Sequence, residues 1–402
     1  MSRPGATGSA SDVVVIGAGT MGAWTALHAV RSGRRTTLID AWGAGHPRAT
    51  SGDETRIIRS SHADDAFYTG WAREAREAWS TLGEATGERL FVQAGVLWFA
   101  HRDDGFEAAS AERLEAMGIP VEALAPDDVH ARWPAVRTDD LVGAVFEPEA
   151  GLLMARRGVV AAVAQAAREG AAFELAVVRP GRTDGDRLLE VVDGDGRARP
   201  AETFVFACGP WLPRLFPDVL GEVIRVTKQD VVFMGPAGGD ARWGAEAMPC
   251  WVDFDLAYYG IPAVDGRGFK IAPDRYGPLF DPSAGERLVD PESVRLARDY
   301  LARRFPDLAR QPVVETRVCQ YEKTPDTHFI VDRHPAWSNV WLVGGGSGHG
   351  FKHGPVIGRH VIERLDGAPG PVDERFSLDR PREAHTGTRT GGDEASRAWQ
   401  GY

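Results

Sequence analysis

Near the start of the chain, Gly17-Ala18-Gly19-Thr20-Met21-Gly22 has the residue types and spacing of a phosphate cradle. The first glycine permits a tight strand-to-helix turn, the second lets backbone approach a pyrophosphate, and the third lets helix and strand pack closely. A helix opening here offers N–H groups and the positive end of its dipole to the phosphates. Asp40 follows about 20 residues later, where a carboxylate accepts hydrogen bonds from ribose hydroxyls. It would repel a 2′-phosphate, which argues against NADP. The motif alone does not separate FAD from NAD, but its place at the head of a long chain with a β-rich second part points toward FAD.

Other signals exclude more than they suggest. His349 and His353 are four apart, a spacing that binds metal on a helix. No acidic residue lies between them as in H-E-x-x-H, and the flanking glycines argue against helical presentation, so no metal is expected. No G-x-S-x-G elbow supports hydrolase chemistry. Cys208, Cys250 and Cys319 are odd in number and far apart, which makes neither a disulfide framework nor a zinc pair.

The elements that must position these residues follow from periodicity. Asp12 to Ile16 is a β-branched run suited to a strand buried on both faces. A helix is expected from Ala23 to Arg31, closed by Gly33, and Thr36 to Ile39 is the next strand, with Asp40 at its end. Together they make one βαβ unit of about 30 residues. A polar segment, Gly43 to Glu54, and an amphipathic helix from Phe67 to Thr86 come next. Strand-like runs then recur without the βα rhythm: Val92 to Ala100, Leu141 to Glu147, Val223 to Met234 and Trp251 to Tyr259. They predict a second, antiparallel sheet. Helices are expected at Val159 to Glu169 and Pro355 to Leu365, and short strands at Glu202 to Ala207, Phe329 to Val331 and Val340 to Val343. The chain thus leaves the nucleotide-binding part and returns to it.

Bulk composition is that of an ordinary globular protein, with 43% hydrophobic and 26% charged residues, and 402 residues favour two domains. A net charge of −11 argues against nucleic acid and an anionic membrane surface as partners. No stretch approaches a membrane span and no signal-peptide core precedes the first strand, so a reducing cytoplasm is the expected compartment. No long heptad seam is visible, and a monomer is expected. The twelve tryptophans are read as core.

The segment Cys319-Gln320-Tyr321-Glu322-Lys323-Thr324-Pro325-Asp326, followed by His328-Phe329-Ile330-Val331-Asp332, resembles the monomeric sarcosine oxidase and N-methyltryptophan oxidase family, within the D-amino-acid-oxidase-like flavoenzymes. Thr55-Arg56-Ile57-Ile58-Arg59 is similar to that family's segment beside the flavin. Arg132-Trp133-Pro134 and Phe146-Glu147-Pro148 with Gly151 look like its linker into the second domain. Gly346-Ser347-Gly348-His349-Gly350-Phe351-Lys352 resembles its C-terminal flavin loop. The likeness runs from about Val13 to Pro381.

The resemblance implies an α/β fold with a discontinuous Rossmann-type FAD-binding domain (1–90, 151–222 and 327–381) and an antiparallel-sheet α+β substrate domain (91–150 and 223–326). Residues 382–402, poor in apolar side chains, are expected to be a disordered tail. It implies an amine oxidase that takes a secondary, N-methyl or cyclic amino acid to an imine and reduces O2 to hydrogen peroxide. The rivals are a dehydrogenase of the same fold and a flavoprotein acting on a modified nucleobase. FAD would be held by Gly17, Gly19, Gly22, Asp40, Thr55, Arg56, Gly346, Gly348, His349, Gly350 and Lys352, and linked through Cys319 by a thioether. Lys270 would lie over the flavin and stabilise the anion formed as oxygen is reduced. Arg59 and Lys352 would hold the substrate carboxylate, and Tyr259 and Tyr321 would line the cavity. The chain departs from the family at Asp274, where a histidine is often found. With Asp253 and Asp255 nearby in sequence, the expectation is a more acidic pocket, suited to a substrate with a second cationic group.

Overall fold

The computed structural model describes residues 11–367 and 373–382. The β-branched run near the start forms strand Ser11–Ile16, whose last four residues are buried, at the centre of a sheet. It pairs in parallel with Thr36–Asp40 on one side and Ala198–Phe206 on the other. Ala172–Leu175 extends the sheet beyond Thr36–Asp40, and Trp337–Gly344 extends it beyond Ala198–Phe206, both in parallel. Ile330–His334 closes that edge as an antiparallel partner of Trp337–Gly344. A parallel sheet must be covered on its faces. Helix Thr20–Arg31 packs against the sheet, and helices Ala155–Arg168 and Gly354–Leu365 pack on it in turn. The last approach is so close that a Cβ on Gly358 would lie 2.6 Å from the Trp24 carbonyl carbon.

The second large sheet runs in the order Val313–Lys323, Arg225–Met234, Phe269–Pro273, Tyr258–Ile261, Cys250–Asp253, Val96–Ala100, Gly143–Glu147, Glu122–Leu124. All its pairings are antiparallel except that of Cys250–Asp253 with Val96–Ala100. Its core is aromatic and aliphatic, with Trp251, Phe269, Ile271 and Phe305 buried against helix Pro291–Arg304. A small sheet, Thr55–Ile58 with Gly151–Met154 and Phe91–Val92, forms a third β unit.

Three expectations need correction. Trp251 to Tyr259 is not one strand: Cys250–Asp253 and Tyr258–Ile261 form a hairpin. Its turn is built by Asp253 accepting from the Leu256 N–H and by Ala257 at φ 55°, without the glycine or proline that usually marks a turn. Val92 to Ala100 is broken by Gly95 at φ 75° into two strands belonging to different sheets. Helices Phe106–Ala116 and Pro291–Arg304 were not anticipated, although Asp290 caps the second through the Glu292 N–H and Pro291 stands at its first turn. The expected disordered tail lies, beyond Arg382, outside the described residues. No helix among the described residues is long and apolar enough to cross a membrane.

Candidate functional site

The glycine motif sits at the carboxyl end of the central strand. Gly17 has φ 104°, and a Cβ there would lie 2.4 Å from the Ala207 carbonyl oxygen; one on Gly22 would lie 1.8 Å from the Gly17 oxygen. Both glycines are therefore demanded by the protein's own packing. Gly19 differs: its nearest neighbour would be Ser51 Oγ at 3.6 Å, so its bareness leaves room for something outside the backbone. Gly19 also caps helix Thr20–Arg31, and among the described residues no side-chain cap is made there, which leaves first-turn N–H groups without a capping side chain. A cavity of about 380 Å3 opens at this point, lined by Gly17, Gly19, Asp40, Trp42, Cys208 and Gly209 among others. Asp40 accepts from the N–H groups of Ala18 (2.7 Å), Trp42 and Gly43 (both 2.8 Å), which pins the loop after its own strand to the glycine turn. The cradle, the uncapped helix start and the cavity fit a dinucleotide such as FAD.

A second cavity collects cations and aromatic rings from four separate stretches of chain. Arg56, Ile57 and Arg59 come from the small sheet and its exit. Tyr259 and Asp274 come from the hairpin region, Tyr321 from strand Val313–Lys323, and Gly348, His349 and Lys352 from the C-terminal loop. Arg59 is 9% exposed, donates to the Ser61 carbonyl, and lies 5.0 Å from the centroid of Trp98. Lys352 is 3% exposed and its Nζ donates to the His349 carbonyl at 3.2 Å. Burial pushes the Tyr259 and Tyr321 hydroxyls well above their usual range, so both stay protonated near neutral pH.

The C-terminal loop is laced to the cysteine-bearing strand. Ser347 N–H donates to the Glu322 carbonyl, Thr324 N–H donates to Ser347 Oγ, and Gly348, at φ 79°, leaves only 3.1 Å between its notional Cβ and the Tyr321 ring.

Lys270 and Cys319 do not line that cavity. Lys270 is 1% exposed in strand Phe269–Pro273, its Nζ 5.9 Å from the Tyr259 ring centroid. It donates to Asp53 Oδ2 and to the Thr55 carbonyl at 3.0 Å. The same carboxylate oxygen accepts from Arg56 Nη1, and Arg317 lies 3.6 Å from the other oxygen. Burial alone would raise the Asp53 carboxyl, but the Lys270 ammonium and Arg56 guanidinium outweigh it and hold the group well below the carboxylate range. Burial pushes Lys270 down, against the pull of Asp53. Arg56 also reaches Cys319, with Nη2 3.2 Å from Sγ. Burial raises the Cys208 and Cys250 thiols well above their ordinary value, as suits structural cysteines; neither has such a neighbour within hydrogen-bond reach among the described residues.

Two expected acids are elsewhere. Asp253 is fully buried and holds His101, Tyr300 and the Leu256 N–H, while Asp255 pairs with Arg102. Of the three, only Asp274 lines the cavity. Three residues gain importance that the sequence did not mark. Asp53 is one. Glu322 is another: it is 6% exposed, its carboxyl is pushed up to about 7 by burial, and its oxygens lie 3.2–3.3 Å from where Cβ atoms on Gly344 and Gly346 would stand. His62, beside His349 and His353, is the third. An acid three residues before Arg56 was the available signal for Asp53, Glu322 stood without an assigned role inside the Cys319 segment, and nothing local signalled His62.

Comparison with known proteins agrees with this geometry. The family described as FAD dependent oxidoreductase matches residues 12–364. The chain is 30% identical over 377 residues to monomeric sarcosine oxidase of Bacillus sp. (strain NS-129), covering 92% of this chain and 96% of that protein. It is 27% identical over 353 residues to N-methyl-L-tryptophan oxidase of Escherichia coli (strain SMS-3-5 / SECEC), covering 86% and 92%. The solved structure of fructosyl peptide oxidase from E. terrenum matches with a TM-score of 0.81 at 21% identity over 95% of each chain, a likeness of fold.

Proposed function

Because the chain belongs to the family of FAD dependent oxidoreductases and has monomeric sarcosine oxidase among its relatives, we propose that it oxidises the carbon–nitrogen bond of a secondary, N-methyl or cyclic amino acid. The substrate CH–NH unit becomes C=N, O2 takes the two electrons and two protons to become hydrogen peroxide, and water then hydrolyses the imine. The observation that carries this reading is the meeting of Arg59 and Lys352, from opposite ends of the chain, in one cavity with Tyr259 and Tyr321.

FAD would be held by Gly17, Gly19, Gly22 and Asp40 at its dinucleotide end, and by Thr55, Arg56, Gly346, Gly348, His349, Gly350 and Lys352 nearer the cavity. When bound it supplies the two-electron acceptor that neither Tyr, Lys nor Arg can provide. Cys319 would tether it through a thioether; its Sγ lies 3.2 Å from Arg56 Nη2, beside the segment Thr55–Ile58.

Arg59 grips the substrate carboxylate in a planar fork and Lys352 adds a point charge, which fixes the amine's position. The aromatic walls exclude water from the amine. Lys270 presents a fixed positive charge for the anion formed during oxygen reduction, and Asp53 holds that ammonium in place. Among the described residues lining the cavity Asp274 is the one carboxylate, and a preference for a second cationic group on the substrate rests on it alone.

The test is a visible spectrum of the purified chain followed by a peroxide-coupled screen of secondary, N-methyl, cyclic and basic amino acids. A yellow protein forming about one peroxide per substrate consumed supports the reading. Turnover without peroxide would assign it to a dehydrogenase, and a colourless protein that takes up no FAD would end it. Sarcosine clearly preferred over any diamino acid would remove the role given to Asp274.

A further inference from the structure

His349 and His353 lie four apart in sequence without forming a helical ligand pair; His353 ends a short 3-10 turn, Phe351–His353. The structure adds a third histidine. His62, just beyond the small sheet, brings its ring to 6.3 Å from His349 and 5.5 Å from His353, centroid to centroid, and the last two rings are 5.9 Å apart. One ring nitrogen of each lies within 4.8 Å of the other two. All three residues are buried, His353 completely.

Two of the rings are held in a defined tautomer. His62 Nδ1 lies 2.9 Å from the Ser60 carbonyl and His349 Nε2 lies 2.9 Å from the Thr327 carbonyl. A carbonyl only accepts, so each of these nitrogens carries a proton, and in the neutral ring the lone pair then falls on His62 Nε2 or His349 Nδ1, both buried. Metal-binding histidines are anchored in this way, one nitrogen on a carbonyl and the other on the ion. The surrounding walls are Tyr68, Phe329 and Trp71. Phenyl rings would fill such a space without the desolvation cost of imidazoles.

We propose that His62, His349 and His353 form a binding site for a borderline divalent cation of the zinc class. Three neutral imidazoles with no carboxylate select zinc, nickel or copper over magnesium and calcium. Bonds of about 2.05 Å in a tetrahedron set the nitrogens about 3.4 Å apart, so each ring tip moves inward by less than about 1 Å, within reach of small side-chain rotations. Three protein ligands leave the fourth position open to water or an anion. Because His349 and Lys352 also line the substrate cavity, an ion here would tie the C-terminal loop to the segment carrying Arg59.

The experiment is calorimetric titration of the FAD-loaded, chelator-treated protein with Zn2+ alone, with Co2+ as an optical probe. Expected are saturable uptake of about one equivalent and Co2+ bands of tetrahedral strength at wavelengths beyond the flavin absorption. His62→Gln and His353→Gln should each weaken binding by at least about tenfold, the lower end of what even an outer-shell loss costs. His334→Gln, at the far edge of the parallel sheet, should leave it unchanged. Melting curves without metal show which variants are folded, and either folded triad variant decides the point. Should neither fold, the Co2+ spectrum of the unaltered chain decides. Absence of saturable uptake, an octahedral Co2+ spectrum, or unchanged affinity in a folded triad variant would overturn the proposal. Colour and amine turnover are separate readouts, so its failure leaves the flavin reading standing.

Discussion

Replacing Asp53 by asparagine removes one negative charge from between a buried cation, Lys270, and a partly buried one, Arg56, while keeping the side chain's shape. Asp53 is 6% exposed, Lys270 is 1% exposed, and both Lys270 and Arg56 donate to the same carboxylate oxygen. Removing one partner of a buried ion pair costs about 3–5 kcal/mol, because the remaining charge stays desolvated. At roughly 2.1 cal/mol/K per residue, unfolding of the 402-residue chain carries an entropy of roughly 0.8 kcal/mol/K, so the midpoint should fall by about 4–6 °C.

The pH dependence has a definite sign. Asp53 has a depressed carboxyl, so its contribution is fully present above the unfolded carboxylate value of about 4 and is lost as pH falls through the folded value. Lys270 is depressed by burial, and without Asp53 its proton is held more weakly still. Below the ordinary lysine value the unfolded chain then binds more protons than the folded one, and stability rises with pH. The deficit of Asp53→Asn should therefore be larger near about pH 6 than near about pH 9. Thermal unfolding followed by tryptophan fluorescence at both pH values is the assay. A midpoint within about a degree of the parent, or a deficit that grows with pH, would refute the reasoning.

Three further outcomes follow from the same geometry. The parent should keep its yellow colour after acid precipitation and Cys319→Ala should lose it; colour retained in the variant would remove Cys319 as the tether. Lys270→Met should slow reoxidation by oxygen by roughly 100-fold or more while affecting reduction by substrate much less, and stopped-flow absorbance that shows equal slowing of both halves would dismiss its role. Glu322, raised to about 7 by burial, stabilises the fold at low pH and loses that contribution as pH rises from about 4.5 through 7. Glu322→Gln, which cannot titrate, should gain on the parent by roughly 3 kcal/mol in denaturant melts between about pH 5 and pH 8, and a pH-independent difference would show that the carboxyl is not protonated in the fold.

The parts of the fold legible in sequence were those whose signal is local. The run Val13 to Ile16 and the glycines after it announce a strand, a turn and a helix within a few residues of each other, and that unit is present, with the helix starting at Thr20 inside the motif rather than at Ala23. The hairpin at Cys250–Ile261 was illegible because its turn places an alanine, Ala257, in the left-handed region. The family likeness marked the cations of the cavity, and the structure brings Arg59 and Lys352 together there. What no local pattern carries is contact across the chain. Asp53 meets Lys270 at a separation of 217 residues, and His62 meets His349 across a comparable span. Asp253 and Asp255 fail in the opposite direction: adjacency in sequence suggested a shared pocket, while Asp253, at the end of strand Cys250–Asp253, is held by His101, and Asp255, in the turn beyond it, pairs with Arg102.

The central parallel sheet is stitched from chain segments that are made at widely different times. Strand Ala198–Phe206 takes its outer parallel neighbour from Trp337–Gly344, and the intervening ~130 residues need roughly 7–26 s of synthesis at ordinary ribosomal rates. Throughout that interval the edge beside Phe204 and Phe206 is open, a ready template for strands from other nascent copies. On the reading proposed above, firm capture of FAD waits for the same moment, since the loop after Gly344 brings Gly348, His349 and Lys352 to the second cavity. Yield in a cell should therefore be governed by how long this half-built edge is shielded, more than by the stability of the finished molecule.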